Sequence, residues 1–397
     1  MLQTVCMPLL MVMTFLFWFC LAVLFYCYIG YGLLLMLINA IRGKRKNVSF
    51  PFYQPPVTLV IPAFNEAAVL PQKLQNAFNL SYPTHLLTIL VVADGSDDET
   101  GEVLRGYPQV QVLHYSQRRG KAAALNHALQ VVQTPIVIFT DADSLLNKDA
   151  VQRLVAHFAT EKVGGVAGEK KIREGHSSVG KAEGIYWRYE AVMKRLDARL
   201  YTVLGAGELL AMRTALYPVL DEDLILDDLY LSMHIGLQGY TVAYEPRAYA
   251  VEAPTLSLHE EAKRKVRIAA GAFQAIEKLS LKKIVHYPEM AFQYLSRRWL
   301  RWVVCPLFIV AVLLLNVLLV AQNKNGVFPV LLLLQVLFYA AALVGWGLIR
   351  ARKAVGWTTV PFYFLFMNFC MLKGLYLYLK GRHTALWQKA KKEVPFF

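Results

Sequence analysis

Cysteine is absent from the middle of the chain. The five cysteines are Cys6, Cys20, Cys27, Cys305 and Cys370, and all of them lie in or beside apolar segments. A central region of normal polarity therefore holds no thiol, which excludes a disulfide framework and a cysteine zinc site there. The nine histidines form no ligand cluster along the sequence.

Charge is absent or nearly absent from four long stretches. No charged residue occurs from Leu9 to Ile41, and further apolar blocks lie at 302–321, 327–349 and 357–379, the last interrupted by Lys373. Each block is long enough to cross a hydrocarbon core about 30 Å thick. The mean hydropathy of +0.38 and the hydrophobic fraction of 56% are too high for an ordinary soluble protein. We therefore expect a membrane protein with a polar central domain.

The basic residues beside the apolar segments predict an orientation. The first segment lacks a basic leading region and exceeds the roughly 7–15 apolar residues of a signal peptide, so we expect a retained anchor. Basic clusters at 43–46 and 350–353 place the central domain in the cytoplasm by the positive-inside rule. A full crossing by the fourth segment would export the basic tail 380–392. Either the rule fails there, or that segment is re-entrant or interfacial.

The net charge of +14 does not indicate a nucleic-acid partner. Much of the excess positive charge lies beside membrane segments, where it favours anionic lipid headgroups. No recognisable nucleic-acid-binding module accompanies it. Membrane lipids are the expected partners of these residues, and nucleic acid is not.

Strand-like and helix-like segments alternate in the first half of the central domain. Buried-strand patterns occur at 58–61, 87–92, 110–114 and 136–140, with helical patterns between them. This alternation predicts a parallel α/β sheet covered by helices. Ligands of such sheets bind at the carboxyl ends of the strands.

Acidic residues follow two of these strands. Asp94 follows the second strand, and Asp141 and Asp143 follow the fourth. Carboxylates at positions i and i+2 of a loop can chelate a hard divalent cation, which in turn can hold a diphosphate. A third acidic pair, Asp227 and Asp228, opens a later helix. The pattern indicates a nucleotide-handling enzyme with a metal, although helix capping, turn formation and dipole compensation are the simpler alternatives at each position.

Four short motifs together resemble a known family. Ile61–Glu66, Ala93–Asp98, Arg119–Asn126 and Asp141–Asp143 follow one another in the order and spacing of membrane-bound family 2 glycosyltransferases. That group includes the cellulose, hyaluronan and poly-N-acetylglucosamine synthases. The resemblance covers about residues 57–302. It implies a glycosyltransferase A-type (Rossmann-like) α/β domain in the cytoplasm, flanked by transmembrane helices, with a UDP-sugar donor and Mg²⁺ or Mn²⁺.

The resemblance also implies roles for individual residues. It assigns nucleotide-sugar binding to Pro62, Ala63, Glu66, Asp94, Lys121, Asp141 and Arg267. Within this set, Asp94 would hydrogen-bond the uracil and Lys121 would reach the ribose or the phosphates.

The remaining implied roles concern the metal and the acceptor. Asp141 and Asp143 resemble the metal motif, with Asp143 favoured as the direct ligand. The loop that contains Gly207 and Glu208 resembles the acceptor-side loop. Asp228 matches the general base, the second acidic residue of a pair whose first member is Asp227.

One motif departs from the family pattern. Processive members carry Gln-x-x-Arg-Trp, and the corresponding stretch here is Arg264-Lys-Val-Arg267-Ile268. Arg267 matches and is expected to bind diphosphate, whereas the replaced Gln and Trp leave processivity open. A second partial match, Arg298-Trp-Leu-Arg301-Trp302, abuts an apolar segment. We interpret it as an interfacial helix with a Trp/Arg belt.

The combined prediction is an inverting, metal-dependent transfer of a sugar from a UDP-sugar to a growing polysaccharide or a lipid at the inner membrane face. Asp228 would be the base. The alternatives are single-sugar transfer to a ceramide-like or polyprenyl-like lipid, and a catalytically silent nucleotide-binding homologue. Export proteins are candidate partners. The predicted parts are an anchor (1–46), a catalytic domain (47–290), and an interfacial helix with the C-terminal membrane region and basic tail (291–397).

Overall fold

The computed structural model describes residues 2–43, 53–173, 178–322, 326–351, 353, 356–382 and 384–386. Several basic residues on which the predicted orientation depends lie outside the described residues. They are Lys44, Arg45, Lys46, Arg352 and the tail from residue 387 onward.

Eight strands form one mixed sheet. They are β1 (Val57–Ala63), β2 (Leu87–Asp94), β3 (Gln111–Tyr115), β4 (Ile136–Thr140), β5 (Ser144–Leu146), β6 (Val163–Ile172), β7 (Leu209–Arg213) and β8 (Thr241–Glu252). Their order across the sheet is β3-β2-β1-β4-β7-β6-β8-β5. All seven residues of β1 are buried, as expected for a strand in the middle of a parallel block.

The expectation of a parallel sheet in the first half of the central domain is correct, and the second half adds antiparallel pairs. Strands β1 to β4 pair in parallel, because a helical crossover returns the chain to the same edge each time. Strand β7 is antiparallel to both β4 and β6, and β5 is antiparallel to β8. The apolar run at 242–244 predicts only a short strand, but β8 has twelve residues, pairs with both β6 and β5, and ends at Glu252.

Fourteen α-helices surround and extend this sheet in the described part of the chain. They are α1 (Leu2–Phe25), α2 (Tyr31–Ile41), α3 (Leu70–Phe78), α4 (Thr100–Arg105), α5 (Lys121–Val131), α6 (Ala150–Ala156), α7 (Ser178–Leu200), α8 (Asp227–Leu237), α9 (Leu258–Lys278), α10 (Leu281–Ile284), α11 (Pro288–Tyr294), α12 (Cys305–Gln322), α13 (Val327–Arg350) and α14 (Gly356–Leu379). Helices α3 and α6 pack on one face of the sheet, and α5 and α8 pack on the other. The result is a three-layer α/β domain, as predicted.

Buried ion pairs fix the central domain to the first and second apolar segments. Arg297 lies on a π-helical stretch (Leu295–Val304) that joins α11 to α12. Its guanidinium contacts Asp197, and its Nη2 lies 2.6 Å from Oε2 of Glu190. Tyr31 donates a 2.6 Å hydrogen bond to the same Asp197. Because these charged groups are buried, each needs its partner, and the contact between helix α7 and the membrane-proximal helices is therefore specific.

Among the described residues, four helical segments are long and apolar enough to cross a membrane. They are Pro8–Ile41, Pro288–Gln322, Val327–Arg350 and Gly356–Leu379. The first two pack against each other through α1 and α12, with Phe17, Cys20, Val312 and Leu319 in the contact. Many of the large apolar side chains on these segments are exposed to the surroundings, as expected for helices in contact with lipid.

Helix α14 lies along helix α9 of the central domain. Near its start, Tyr363 donates a 2.9 Å hydrogen bond to Glu261. Near its end, the ring of Tyr378 stacks on Phe273 at 6.2 Å between centroids. Helix α14 therefore packs against the central domain over much of its length.

Candidate active site

A cluster of three carboxylates lies at the carboxyl edge of the sheet. Asp141 and Asp143 follow β4, and Glu252 ends β8. One carboxylate oxygen from each of the three residues lies within 4.8 Å of the other two. Strand β8 brings Glu252 to this point because its last residue pairs with Ser144 of β5, directly after Asp143. Three converging carboxylate oxygens form a donor set suited to a hard divalent cation.

Glu252 is a site residue that sequence reasoning missed. It is buried, and its Oε1 lies 2.9 Å from Nζ of Lys170. Burial lowers the pKa of Lys170, but the carboxylates of Glu208 and Glu252 outweigh it and raise that pKa overall. One sequence feature could have identified Glu252, because an acidic residue at the end of a strand lies at the edge of the sheet. That feature is recognisable only when β8 is known to extend to residue 252.

Lys73 is a second buried residue beside the cluster that sequence reasoning missed. Its Nζ donates hydrogen bonds of 2.9 Å to Thr140 Oγ1 and 2.5 Å to the carbonyl of Ser144. Burial lowers the pKa of this amine to about 7. These contacts tie helix α3 to the chain immediately before and after Asp141 and Asp143.

Lys121 joins the carboxylate cluster to the later acidic pair. Its Nζ lies 2.9 Å from Oδ1 of Asp141 and 3.3 Å from Oδ2 of Asp227. Burial lowers the pKa of Lys121, but these carboxylates raise it by more, so the amine is charged. Burial raises the pKa of Asp227, against the opposing effect of Lys121. The two groups therefore form one coupled pair at the first turn of α8.

Asp228 contacts the glycine-rich loop that precedes β7. Its Oδ2 accepts a 2.7 Å hydrogen bond from the backbone N–H of Gly207. Gly205 and Gly207 have φ of +83° and +85°, a region that other residues rarely adopt, so the sequence Gly-Ala-Gly is what permits this turn. Glu208 at the end of the loop pairs with Lys170, and burial raises the pKa of Glu208.

Asp94 has a different environment from the other predicted residues. Its side chain is fully buried, and its oxygens accept hydrogen bonds of 2.9 Å from Arg119 N–H and 2.7 Å from Gly120 N–H. The carboxylate thus fastens the Arg119–Gly120 turn that opens α5. Neither Asp94 nor Ala63 lines the cavity that Asp141, Asp143 and Lys121 share.

A cavity of about 770 Å³ connects most of the predicted residues. Of the predicted residues, its walls include Pro62, Glu66, Lys121, Asp141, Asp143, Glu208, Asp227 and Arg267. Gly207 and Asp228 line a small adjoining pocket that shares Lys121, Asp141 and Asp227 with it. Ten of the twelve predicted residues therefore line this cavity or its adjoining pocket, and Ala63 and Asp94 line neither.

Helix α9 forms the opposite wall. Arg267 faces the cavity, and burial lowers its pKa against the effect of Asp227. Arg264, which replaces the family's Gln, is held by Glu183 and by Glu261. Residues Arg382 and Thr384–Leu386, which follow α14, also line this cavity. The chain after the last helix therefore returns to the site.

Comparison with known proteins places the chain in context. Residues 58–207 match the model of Glycosyl transferase family 2, and residues 136–377, more than half of the chain, match that of Glycosyl transferase family group 2. The chain is 28% identical over 286 residues to the poly-beta-1,6-N-acetyl-D-glucosamine synthase of Staphylococcus epidermidis, covering 68% of this chain and 66% of that one. The synthase of Staphylococcus aureus (strain COL) is 28% identical over 258 residues, covering 61% and 62%. The chain thus spans just under two thirds of the length of these relatives.

A solved structure shares the fold. The mannosyltransferase PcManGT from Pyrobaculum calidifontis, in complex with GDP-Man and Mn²⁺, superposes with a TM-score of 0.68 over 93% of this chain and 100% of that one. The sequences are 23% identical, so the likeness concerns the fold alone. It confirms the predicted glycosyltransferase A-type architecture with apolar helices attached.

Proposed function

The chain belongs to glycosyl transferase family group 2, and on that premise we propose that it extends a polysaccharide by inverting, metal-dependent transfer from a UDP-sugar. The observation that carries the proposal is that two acidic groups lie in one cavity and the small pocket that adjoins it. One is the carboxylate cluster Asp141, Asp143 and Glu252, and the other is Asp228. An inverting transfer needs both, an ion for the leaving diphosphate and a separate base for the acceptor.

The cavity supplies groups for the donor. Asp141, Asp143 and Glu252 would hold Mg²⁺ or Mn²⁺, which suit oxygen ligands and neutralise a leaving diphosphate when bound. Lys121 and Arg267 contribute positive charge on the two walls of the same cavity. Pro62, Ala63, Glu66 and Asp94 are the proposed nucleoside side, in which Asp94 acts largely through the turn that it fastens.

Asp228 is the proposed base. Its carboxylate takes the proton of an acceptor hydroxyl as that oxygen attacks the anomeric carbon. A new carbon–oxygen bond forms on the face opposite the diphosphate, the old bond breaks, and UDP leaves with the bonding electron pair. Gly207 and Glu208 are the proposed acceptor side, because the Gly207 N–H holds Asp228 in place.

The names of the relatives support one choice of donor sugar. The synthases that the chain resembles are named for a poly-β-1,6-N-acetylglucosamine product, so UDP-N-acetylglucosamine is the proposed donor. The proposed catalytic domain spans 47–290 on the cytoplasmic face, with the anchor at 1–46 and the membrane region at 291–397. Export proteins would be partners of a polymer product.

A lipid acceptor is the second candidate, and one observation favours it. An apolar groove of about 1450 Å³ runs between α13 and α14, and it shares Lys373 and His259 with the donor cavity. A hydrocarbon chain in this groove would bring its head to the cavity. The two candidates differ in product, since a polymer partitions into water and a single-sugar lipid into organic solvent.

The test is product analysis with purified, membrane-reconstituted protein and labelled UDP-sugars. We expect label from UDP-N-acetylglucosamine in a water-soluble β-1,6-linked oligomer. Label confined to the organic extract would replace the polysaccharide proposal with the lipid one. UDP binding without UDP release, with every donor and acceptor supplied, would instead support a silent homologue.

A further inference from the structure

The last five residues of the loop before β7 are each held by a different side chain. The five residues are Leu204, Gly205, Ala206, Gly207 and Glu208. Gly205 N–H donates a 2.8 Å hydrogen bond to Ser232, and Gly207 N–H donates to Asp228. Lys194 donates a 2.7 Å hydrogen bond to the carbonyl of Ala206, and Lys170 pairs with Glu208. A loop fixed at consecutive residues has one position, and that position is set by its contacts.

The first contact of this loop comes from outside the α/β core. Nη2 of Arg298 donates a hydrogen bond to the carbonyl of Leu204. Arg298 lies on the π-helical stretch Leu295–Val304, which continues directly into the apolar helix α12. Its side chain is buried, and its guanidinium lies 5.3 Å from the ring centroid of Trp302. In the described part of the chain, Leu204 is its one hydrogen-bond partner.

Arg298 and Asp228 both lie close to Gly205. A Cβ built on this glycine would lie 2.8 Å from Nη2 of Arg298 and 3.6 Å from Oδ2 of Asp228. The absence of a side chain at Gly205 is therefore what lets the arginine approach the loop this closely, beside the proposed base. A shift of Arg298 would move Gly205 and, through Gly207 N–H, the carboxylate of Asp228.

We propose that Arg298 is a positioning residue for sugar transfer, which sets the acceptor loop and, through the loop, Asp228. The inference rests on the proposed function, because it assumes that Asp228 is the base. It also assigns a purpose to the Arg298-Trp-Leu-Arg301-Trp302 motif, which the sequence alone indicated only as a membrane-interface belt. The helix that enters the membrane at α12 thereby contributes to the geometry of the acceptor side and not of the donor side.

The test compares Arg298→Ala and Arg298→Lys with Arg301→Ala as the matched control. Arg301 lies one turn away on the same helix and is similarly buried, but it pairs with Glu190 and does not contact the loop. Three quantities are measured on the full chain in lipid vesicles. They are the affinity for UDP with Mn²⁺, the kcat for transfer to β-1,6-linked N-acetylglucosamine oligomers, and the rate of donor hydrolysis by water.

We expect Arg298→Ala to lose about 10- to 100-fold in transfer, the usual effect of a small misplacement at the reacting centre. UDP affinity and hydrolysis should persist, so the ratio of transfer to hydrolysis falls. Arg298→Lys, which can still donate to Leu204, should recover part of the loss, and Arg301→Ala should keep the wild-type ratio. Equal loss of transfer and hydrolysis, or equal ratios in Arg298→Ala and Arg301→Ala, would overturn the inference. If wild-type protein neither binds nor releases UDP, the proposed function fails first.

Discussion

The donor half and the acceptor half of the central domain are stabilised by different interactions. The donor half, β1–β4 with α3–α6, has an apolar core in which Leu59, Val60 and Leu90 are almost wholly buried. The acceptor half, β6–β8 with α7–α9, buries many charged residues, including Glu190, Asp197 and Lys265. The donor half is therefore stabilised by its own apolar core. The acceptor half depends on ion pairs with membrane-proximal helices, so the membrane region is part of its structure.

The largest expected effect is the loss of sugar transfer, without loss of UDP binding, when the proposed base is replaced. Asp228→Asn removes the carboxylate that would take the acceptor proton, so transfer should fall by about 10²- to 10⁴-fold. UDP affinity should stay as in wild type, because the donor groups are intact. Asp227→Asn is the matched control: this residue pairs with Lys121 on the donor side, so it should weaken UDP binding. Weakened UDP binding by Asp228→Asn with normal turnover would contradict the division.

The next largest effect is on metal dependence, at Glu252, which lies in the acceptor half but belongs to the carboxylate cluster on the donor side. Glu252→Gln removes a charged ligand from the carboxylate cluster, so half-maximal activity should require at least about tenfold more Mn²⁺, as for other metal-site substitutions. Glu245→Gln, on the same strand but paired with His157 and Arg247, should leave the metal dependence unchanged. A metal titration of UDP release measures both. Identical curves for Glu252→Gln and wild type would remove Glu252 from the site.

A third prediction compares stability in the two halves. Arg297→Met leaves Glu190 and Asp197 short of their buried partner and should cost about 3–5 kcal/mol. Leu59→Ala opens a cavity in the apolar core of the donor half and should cost about 2–5 kcal/mol. Thermal melting in detergent measures both.

The two variants should also differ in which contact they lose. Arg297→Met should release helix α7 from the membrane-proximal helices, seen as faster proteolysis between the central domain and α12. Leu59→Ala should not. Equal proteolysis in both variants would mean that the ion pairs do not hold the two regions together.

The smallest expected effect is a change in how the stability of the fold falls at low pH, caused by Glu245 of strand β8. Burial acts to raise the pKa of Glu245, but hydrogen bonds from His157 and Arg247 outweigh it and lower that pKa to about 2. A carboxyl with a lowered folded pKa stabilises the fold fully above its ordinary pKa of 4.5 and loses that contribution as the pH falls towards 2. Glu245→Gln should therefore flatten the fall in melting temperature below pH 4.5. An unchanged acid profile would show that the pair contributes nothing.

The donor half could be predicted from the sequence because its information is local. Asp94, Asp141 and Asp143 each follow a strand of apolar residues, and parallel strands end at one edge, so their neighbourhood could be inferred without the structure. The antiparallel placement of β7 could not be inferred, since it depends on where the chain returns after the 23-residue helix α7.

The acceptor half depends on contacts between residues that are far apart in sequence. Glu252 reaches Asp143 only because β8 continues beyond its predicted end. Arg298 and Leu204 are 94 positions apart in the sequence. The pattern of apolar residues in the two segments does not predict that they are in contact. The packing of α14 along α9 is likewise a contact that hydropathy alone does not report.

The most direct test of the account is UDP release by the reconstituted protein with UDP-N-acetylglucosamine and an acceptor oligomer, in Mn²⁺, Mg²⁺ or EDTA. Asp143→Asn is measured beside it, with Asp149→Asn as a control, because Asp149 lies at the start of α6 and pairs with Arg153. The account predicts release that EDTA abolishes, that Asp143→Asn loses and that Asp149→Asn retains. Release that persists in EDTA and in Asp143→Asn would contradict the proposed metal-dependent site.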